Sequence, residues 1–178
     1  MKTHKTSLVG KSLDDFLDIC DIHNVDSYRA EQIFNWIYKN KINDFESFKN
    51  IPKSFLNLLK EQHIIHPLIF VRSTKSDSRL TNKFLFKTQS GALIESVLMN
   101  EGSRTTLCLS TQVGCALDCK FCATAKMGFI DNLDSGEIVD QFLLISKMLS
   151  KPITNVVFMG MGEPFLNYSN VIKSAKLL

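Results

Sequence analysis

Cys115, Cys119 and Cys122 stand in the spacing Cys-x3-Cys-x2-Cys within Gly114-Cys-Ala-Leu-Asp-Cys-Lys-Phe-Cys122. Three thiolates at this spacing suit three corners of a cubic iron-sulfur (4Fe-4S) cluster, one per chain, and leave the fourth iron without a protein ligand. An iron with an open position can bind a small molecule and pass it an electron, whereas a cluster closed by four cysteines mainly carries electrons or braces a fold. Zinc is the competing metal, but its structural sites want four closed ligands, and His63 and His66, the nearest histidines, lie far upstream. Three unligated buried thiols would need apolar surroundings, and this segment is a glycine-containing loop with Asp118 and Lys120.

A chain of 178 residues with 44% apolar composition is long enough for one core, or for a small helical domain plus part of a larger one. No apolar run approaches the length of a membrane span, and Met1-Lys-Thr-His-Lys-Thr lacks the apolar stretch of a secretion signal. The expectation is a cytoplasmic protein with no membrane partner. Five cysteines, an odd number with three clustered, argue for reduced thiols serving a metal rather than a disulfide framework. Charge is uneven: 14 Lys and Arg stand against 10 Asp and Glu up to residue 90, and 7 against 8 beyond it. Within the first part, Arg72, Lys75, Arg79, Lys83 and Lys87 form a string interrupted only by Asp77, and such a string can face nucleic acid as readily as it can face solvent.

Residues 1–10 are polar and unpatterned, which predicts a mobile arm. Ser12 can cap a helix with Leu13, Phe16, Leu17 and Cys20 on one face, and Asp26 or Ser27 a second with Ala30, Ile33, Phe34 and Ile37 inward. Asn43 or Asp44 opens a turn carrying Phe45 and Phe48, and Pro52 suits the first turn of a helix burying Phe55, Leu58 and Leu59. These elements predict a helical accessory domain over 1–65. Trp36 and Tyr38 invite a base-stacking role, but their place on an amphipathic helix favours core packing. His63 and His66 read as linker residues beside Pro67.

From residue 68 the pattern turns to short extended runs, Leu68 to Val71, Lys83 to Lys87, Ala92 to Met99 and Thr105 to Leu109, with a hairpin turn at Gln89-Ser-Gly91. Residues 66–103 therefore read as an extended β-hairpin connector. Alternation in the third run puts Glu95 on one face with Leu93, Val97 and Met99. A carboxylate buried there would hold its proton more readily than usual and serve as an acid or base, whereas a strand-edge glutamate would reach water. Beyond the cysteine loop, Asp134 and Glu137 form a capping box for a helix with Ile138, Val139, Phe142, Ile145 and Leu149 on its buried stripe. Ile153 to Met159 reads as a buried strand, Gly160-Met-Gly-Glu-Pro164 as a turn, and a last helix starts near Tyr168 or Asn170. Strand, loop, helix, strand, loop, helix predicts an α/β fold with parallel strands and a right-handed crossover. Both motif loops then leave the same carboxyl-end edge, where α/β folds gather substrates and cofactors.

Arg104-Thr-Thr-Leu-Cys-Leu-Ser-Thr-Gln-Val-Gly-Cys-Ala-Leu-Asp-Cys-Lys-Phe-Cys-Ala-Thr-Ala-Lys-Met-Gly-Phe129 and Asn155-Val-Val-Phe-Met-Gly-Met-Gly-Glu-Pro164 resemble the radical S-adenosylmethionine (SAM) RNA methyltransferases of the RlmN/Cfr family. The likeness extends more loosely to Tyr28-Arg-Ala-Glu-Gln-Ile-Phe-Asn-Trp-Ile-Tyr38. It implies that 104–178 is the first part of a partial β/α (TIM-like) radical SAM barrel, with two of about six units present. It implies an enzyme that methylates C2 of adenine in 23S rRNA and in tRNA next to the anticodon, with SAM as cofactor and a reductant such as flavodoxin as partner. An aromatic C2–H is too inert for ordinary methyl transfer, which accounts for a radical route through a methyl-cysteine intermediate.

The resemblance also assigns roles by residue. Cys115, Cys119 and Cys122 hold the cluster, Phe121 lies against the adenine of SAM, and Gly162 and Glu163 meet its methionine end, where a bare backbone permits close approach and a carboxylate accepts from the ammonium group. Glu95 becomes the proton acceptor, and Cys108 the cysteine that releases product through a transient disulfide; taken alone, Cys108 is equally an ordinary half-buried strand thiol. The family's methyl-carrying cysteine has no counterpart here, so the expectation is a fragment that binds a cluster without completing a turnover, with one sheet edge left unpaired. Two rival readings stay open: another radical SAM enzyme such as a glycyl-radical activase, and a non-catalytic iron-sulfur or RNA-binding module.

Overall fold

The computed structural model describes residues 5–78, 80–117 and 119–178; Arg79 of the basic string, Asp118 of the cysteine loop and the first four residues lie outside them. Residues 6–10 are not the arm that their polarity predicts. β1 (Thr6–Ser7) pairs in parallel with β2 (His63–Ile64), and Leu8 and Val9 are buried. Leu8 and Val9 donate on to the carbonyls of Ile64 and Ile65, so a two-residue apolar step draws the N-terminus into the core.

Ser12 starts α1 (Leu13–Ile22) with a capping box, its hydroxyl accepting from the Asp15 N–H while the Asp15 carboxylate accepts from the Ser12 N–H. Burial, the largest influence, pushes the Asp15 carboxyl up, but the bonds from Lys173 and Ser12 together outweigh it and hold the group below its usual range. α2 (Tyr28–Tyr38) starts at Ser27 without a side-chain cap. Asp44 caps a single 3-10 turn at Phe45–Ser47, and Pro52 precedes α3 (Lys53–Gln62). Phe16, Cys20, Ala30, Ile33, Ile37, Phe55 and Leu59 form the core of this helical part, as their spacing predicts, whereas Leu13 and Leu58 are exposed. The Tyr38 hydroxyl donates to the Lys11 carbonyl and accepts from the Gly10 N–H, and the Trp36 indole donates to Asn50. Both aromatics are occupied in building the fold.

The main sheet has the order β3 (Ile69–Lys75), β4 (Thr81–Lys87), β5 (Leu93–Glu101), β6 (Arg104–Cys108) and β9 (Asn155–Val157). The first three junctions are antiparallel and β6 pairs with β9 in parallel, as the strand-loop-helix order predicts. Between β6 and β9 come a hairpin of β7 (Gln112–Gly114) and β8 (Phe129–Asn132) and then α4 (Ser135–Met148). The Asp134–Glu137 capping box opens α4, and α5 (Tyr168–Leu177) closes the chain. Burial, then the nearby Asp134 charge, raises the Glu137 carboxyl to about 7.

Cross-strand partners share a face of a sheet. One face therefore carries Phe84, Phe86, Ile94, Leu98 and Leu107, buried with Ile138 and Ile145 of α4 and Val171 of α5. The other carries Lys83, Leu85, Glu95, Val97, Cys108 and Val157, half-buried or exposed apart from Cys108. α4 serves both cores, because Val139 and Leu143 join the helical cluster on its far side.

His66 is no linker residue. Its Nδ1 meets Asp140 Oδ1 of α4 and its Nε2 donates to the Ile42 carbonyl at 2.8 Å, while Asp140 Oδ2 accepts from the Leu68 N–H at 3.0 Å. One buried pair thus joins the helical part, the segment entering the sheet and α4. His63 is also buried, against the Thr6 hydroxyl.

Candidate functional site

β6 delivers Cys108 to the carboxyl-end edge, with 8% exposure. Burial pushes its thiol up, against a hydrogen bond from the Met159 backbone. Past it the chain laces directly to the Gly160-Met-Gly-Glu turn: Gly160 N–H donates to the Leu109 carbonyl, and Thr111 and Gln112 N–H both donate to the Met161 carbonyl. The buried Ser110 hydroxyl donates to the Glu95 carbonyl at 2.5 Å and accepts from the Met161 N–H at 2.8 Å. The two loops predicted to share an edge are held side by side by direct bonds.

Gln112, buried at the start of β7, fastens them further. Its Nε2 donates to Asn132 Oδ1 across the hairpin at 2.8 Å, and its Oε1 accepts from the Glu163 N–H at 2.9 Å. The Asn167 amide donates to the Thr111 and Leu133 carbonyls at 2.7 Å each, and Gln141 of α4 brackets Ser110 from below through both its backbone groups. Gln112, Asn167 and Gln141 carry little sequence signal: Gln112 is a polar side chain inside the first motif stretch, Asn167 follows the second, and Gln141 is an amide on an apolar helix stripe.

The hairpin carries the cysteine loop. Gly114, at φ +74°, is pressed against Gly128, whose carbonyl oxygen would lie 1.8 Å from an added Cβ, and the Cys115 N–H donates to that same carbonyl. The loop mouth is therefore closed by backbone contact. Cys115, Cys119 and Cys122 are partly exposed free thiols. Backbone N–H groups of Ala125 and Thr124 lower the Cys122 thiol toward the thiolate, the form that binds metal. Among the described residues no three metal-binding side chains are gathered into a cage; the donor set, three reduced cysteines on one loop with backbone N–H groups turned to sulfur, fits a thiolate-held cluster.

Phe121 is 94% exposed, which removes plain packing as its role within these residues. Glu163 Oε1 accepts from the Phe165 N–H at 3.1 Å and caps the turn at Pro164–Asn167. Gly162 has a reason within the fold for being glycine: at φ +97°, an added Cβ would lie 2.5 and 2.6 Å from the Gln112 Cβ and Cγ. Glu95 is not enclosed by apolar neighbours. The buried positions of β5 are Ile94, Ser96 and Leu98, and Glu95 lies on the opposite face, paired with Lys83 at 3.0 Å with both side chains substantially exposed. It shares that face with Cys108, two residues along from Cys108's partner Val97. No disulfide is formed by any of the five cysteines, and Cys20 is buried in the helical core.

Residues 6–65 match the ribosomal RNA large subunit methyltransferase N-terminal domain family. Proteins named probable dual-specificity RNA methyltransferase RlmN are 43% identical over 172 residues in Thermotoga neapolitana and 42% in Clostridium novyi, each alignment covering 97% of this chain and 50% of the relative. The chain is RlmN-like, matching the family's N-terminal portion. The RlmN of Pseudothermotoga lettingae is 46% identical over 154 residues, 86% of this chain and 45% of its own. The crystal structure of a radical SAM methyltransferase from Sphaerobacter thermophilus superposes with a TM-score of 0.91 at 38% identity, covering 97% of this RlmN-like chain and 52% of that one. The RlmN-like chain thus spans about half the length of the relatives it matches. Among the described residues no helix is long and apolar enough to cross a membrane.

Proposed function

We propose that this RlmN-like chain forms the cofactor-holding edge of a radical SAM methyltransferase that modifies C2 of adenine in 23S rRNA and in tRNA next to the anticodon. The observation that carries the reading is the lacing of Thr111 and Gln112, which lead into the cysteine loop, to the Gly160-Met-Gly-Glu turn, so that the base of a thiolate-bearing hairpin and a carboxylate-bearing turn meet at the carboxyl end of parallel strands. Cys115, Cys119 and Cys122 would hold a 4Fe-4S cluster, and Phe121 and Glu163 would hold SAM at its adenine and methionine ends. When bound, the cluster supplies the electron that cleaves SAM. The sheet from β6 to β9 is then the first part of a partial β/α barrel, with 1–65 as a helical accessory domain and 66–103 as its connector.

Glu95 and Cys108 stand on the face that would line the barrel interior. Glu95 would accept a proton there, its carboxylate oriented by the ion pair with Lys83. Burial keeps Cys108 in its thiol form, and it would meet a partner sulfur in the step that releases product. A reductant such as flavodoxin would feed the exposed loop. Anaerobic reconstitution with iron and sulfide, reduction and addition of SAM should give 5'-deoxyadenosine, and Cys119→Ala should abolish it. RNA retention with no SAM cleavage would favour the non-catalytic module instead.

A further inference from the structure

We propose that the uncovered face of the β3–β6 sheet is the track by which single-stranded RNA reaches Cys108, with Arg72, Lys83 and Lys87 meeting its phosphates. The proposal rests on the reading above that RNA is the substrate. The sequence shows a run of cations; the register shows which of them share a face. Thr74, Lys83, Val97, Cys108 and Val157 form one cross-strand row, Arg72, Leu85 and Glu95 the next, and Ile69, Lys87 and Leu93 lie one row further on. All stand on one side of the sheet, whereas Lys75, partnered with Asn82, falls on the other.

Direction matters as much as face. β5 runs antiparallel to β6, so the rows of Arg72 and Lys87 lie beyond Cys108 toward the edge that carries the cysteine loop and the Gly160-Met-Gly-Glu turn. With strands about 4.8 Å apart, Lys83 is about 10 Å and Arg72 about 14 Å to the side of Cys108. A short run of unpaired nucleotides covers such distances, and a base must leave its stack to be worked on. Every residue of β3 is exposed. Lys83 is held by Glu95, while no described acidic residue forms an ion pair with Arg72 or Lys87. Cations without carboxylate partners on an open face complement a phosphate chain, and the half-buried Leu85 and Val97 between them give a base an apolar floor.

The test is binding of a labelled single-stranded RNA oligonucleotide to the 178-residue chain across a salt series. Arg72→Ala/Lys87→Ala should weaken binding about tenfold and flatten the log-log salt slope by about 1.4, roughly 0.7 for each lost phosphate contact. Arg72→Lys/Lys87→Arg should keep both, as should Lys151→Ala/Lys176→Ala on other exposed surfaces. Three results would overturn the proposal: an unchanged slope and affinity in the first variant, an equal loss in the Lys151/Lys176 variant, or no RNA binding by the parent chain. SAM cleavage by the reconstituted chain does not depend on Arg72 or Lys87, so the two readings fail separately.

Discussion

His66→Ala is expected to destabilise the chain by about 3–5 kcal/mol at neutral pH, because it strands a fully buried carboxylate. Nε2 faces a carbonyl and must donate, so a neutral imidazole would turn a bare Nδ1 toward Asp140. Both bonds are satisfied when the pair holds one extra proton. Burial alone would lower the histidine, but the bond and charge of Asp140 outweigh it and raise the value above 6.5; burial raises Asp140. For His66 the stabilisation is in place below 6.5 and is lost as pH rises through the raised folded-state value. Lys147, which opposes the imidazolium, and Asp134, which opposes the carboxylate, face the same pair. The deficit of the variant should therefore be widest near neutrality. It narrows in acid, where the stranded Asp140 takes up a proton, and in alkali, where the native imidazolium loses one. Urea denaturation of both proteins from acid to alkaline pH measures this; a pH-independent deficit below about 1 kcal/mol would show that the pair does not join the three elements.

Gly162→Ala should damage both stability and the site. Its Cβ would press on the Gln112 side chain and lie 2.8 Å from the Gln112 nitrogen, which is itself bonded to the Met161 carbonyl. Overpacking of this kind costs about 1–3 kcal/mol, and a side chain at this φ adds about 1 kcal/mol or more. Relief requires the turn to move, which breaks the Glu163–Gln112 bond and displaces the carboxylate proposed to hold SAM. Gly102→Ala, at φ +60° with nothing within 4 Å of its Cβ, carries the backbone cost alone and is the control. Denaturation midpoints and SAM retention by the reconstituted proteins separate the two: Gly162→Ala should lose both, and Gly102→Ala should lose only a little stability.

The helices were legible because a cap and an apolar stripe are local: Ser12 with Asp15, Asp134 with Glu137, and Phe16, Ile33 and Phe55 at helical spacing. The parallel junction of β6 and β9 and the shared edge of the two motif loops followed from element order. What escaped was non-local. Leu8 and Val9 give no periodic signal in two residues, yet β2 captures them. His66 looks like a linker residue until α4 brings Asp140 to it from across the fold. Whether Glu95 is enclosed stayed open in the sequence because alternation identifies two faces of a strand without saying which one the helices cover. The β7–β8 hairpin was missed since Gly114 and Gly128 form its base only once the cysteine loop folds back. The packing of Gly162 against Gln112 gave no sequence signal, because the two residues meet only when the loops fold together.

Electron paramagnetic resonance of the reconstituted, reduced chain, recorded before and after SAM is added, bears most directly on whether this edge holds an open-iron cluster. The expected result is about four iron atoms per chain and a reduced-cluster signal that changes shape on SAM addition, both lost in Cys119→Ala. Stoichiometric zinc in place of iron, or a cluster signal indifferent to SAM, would contradict it.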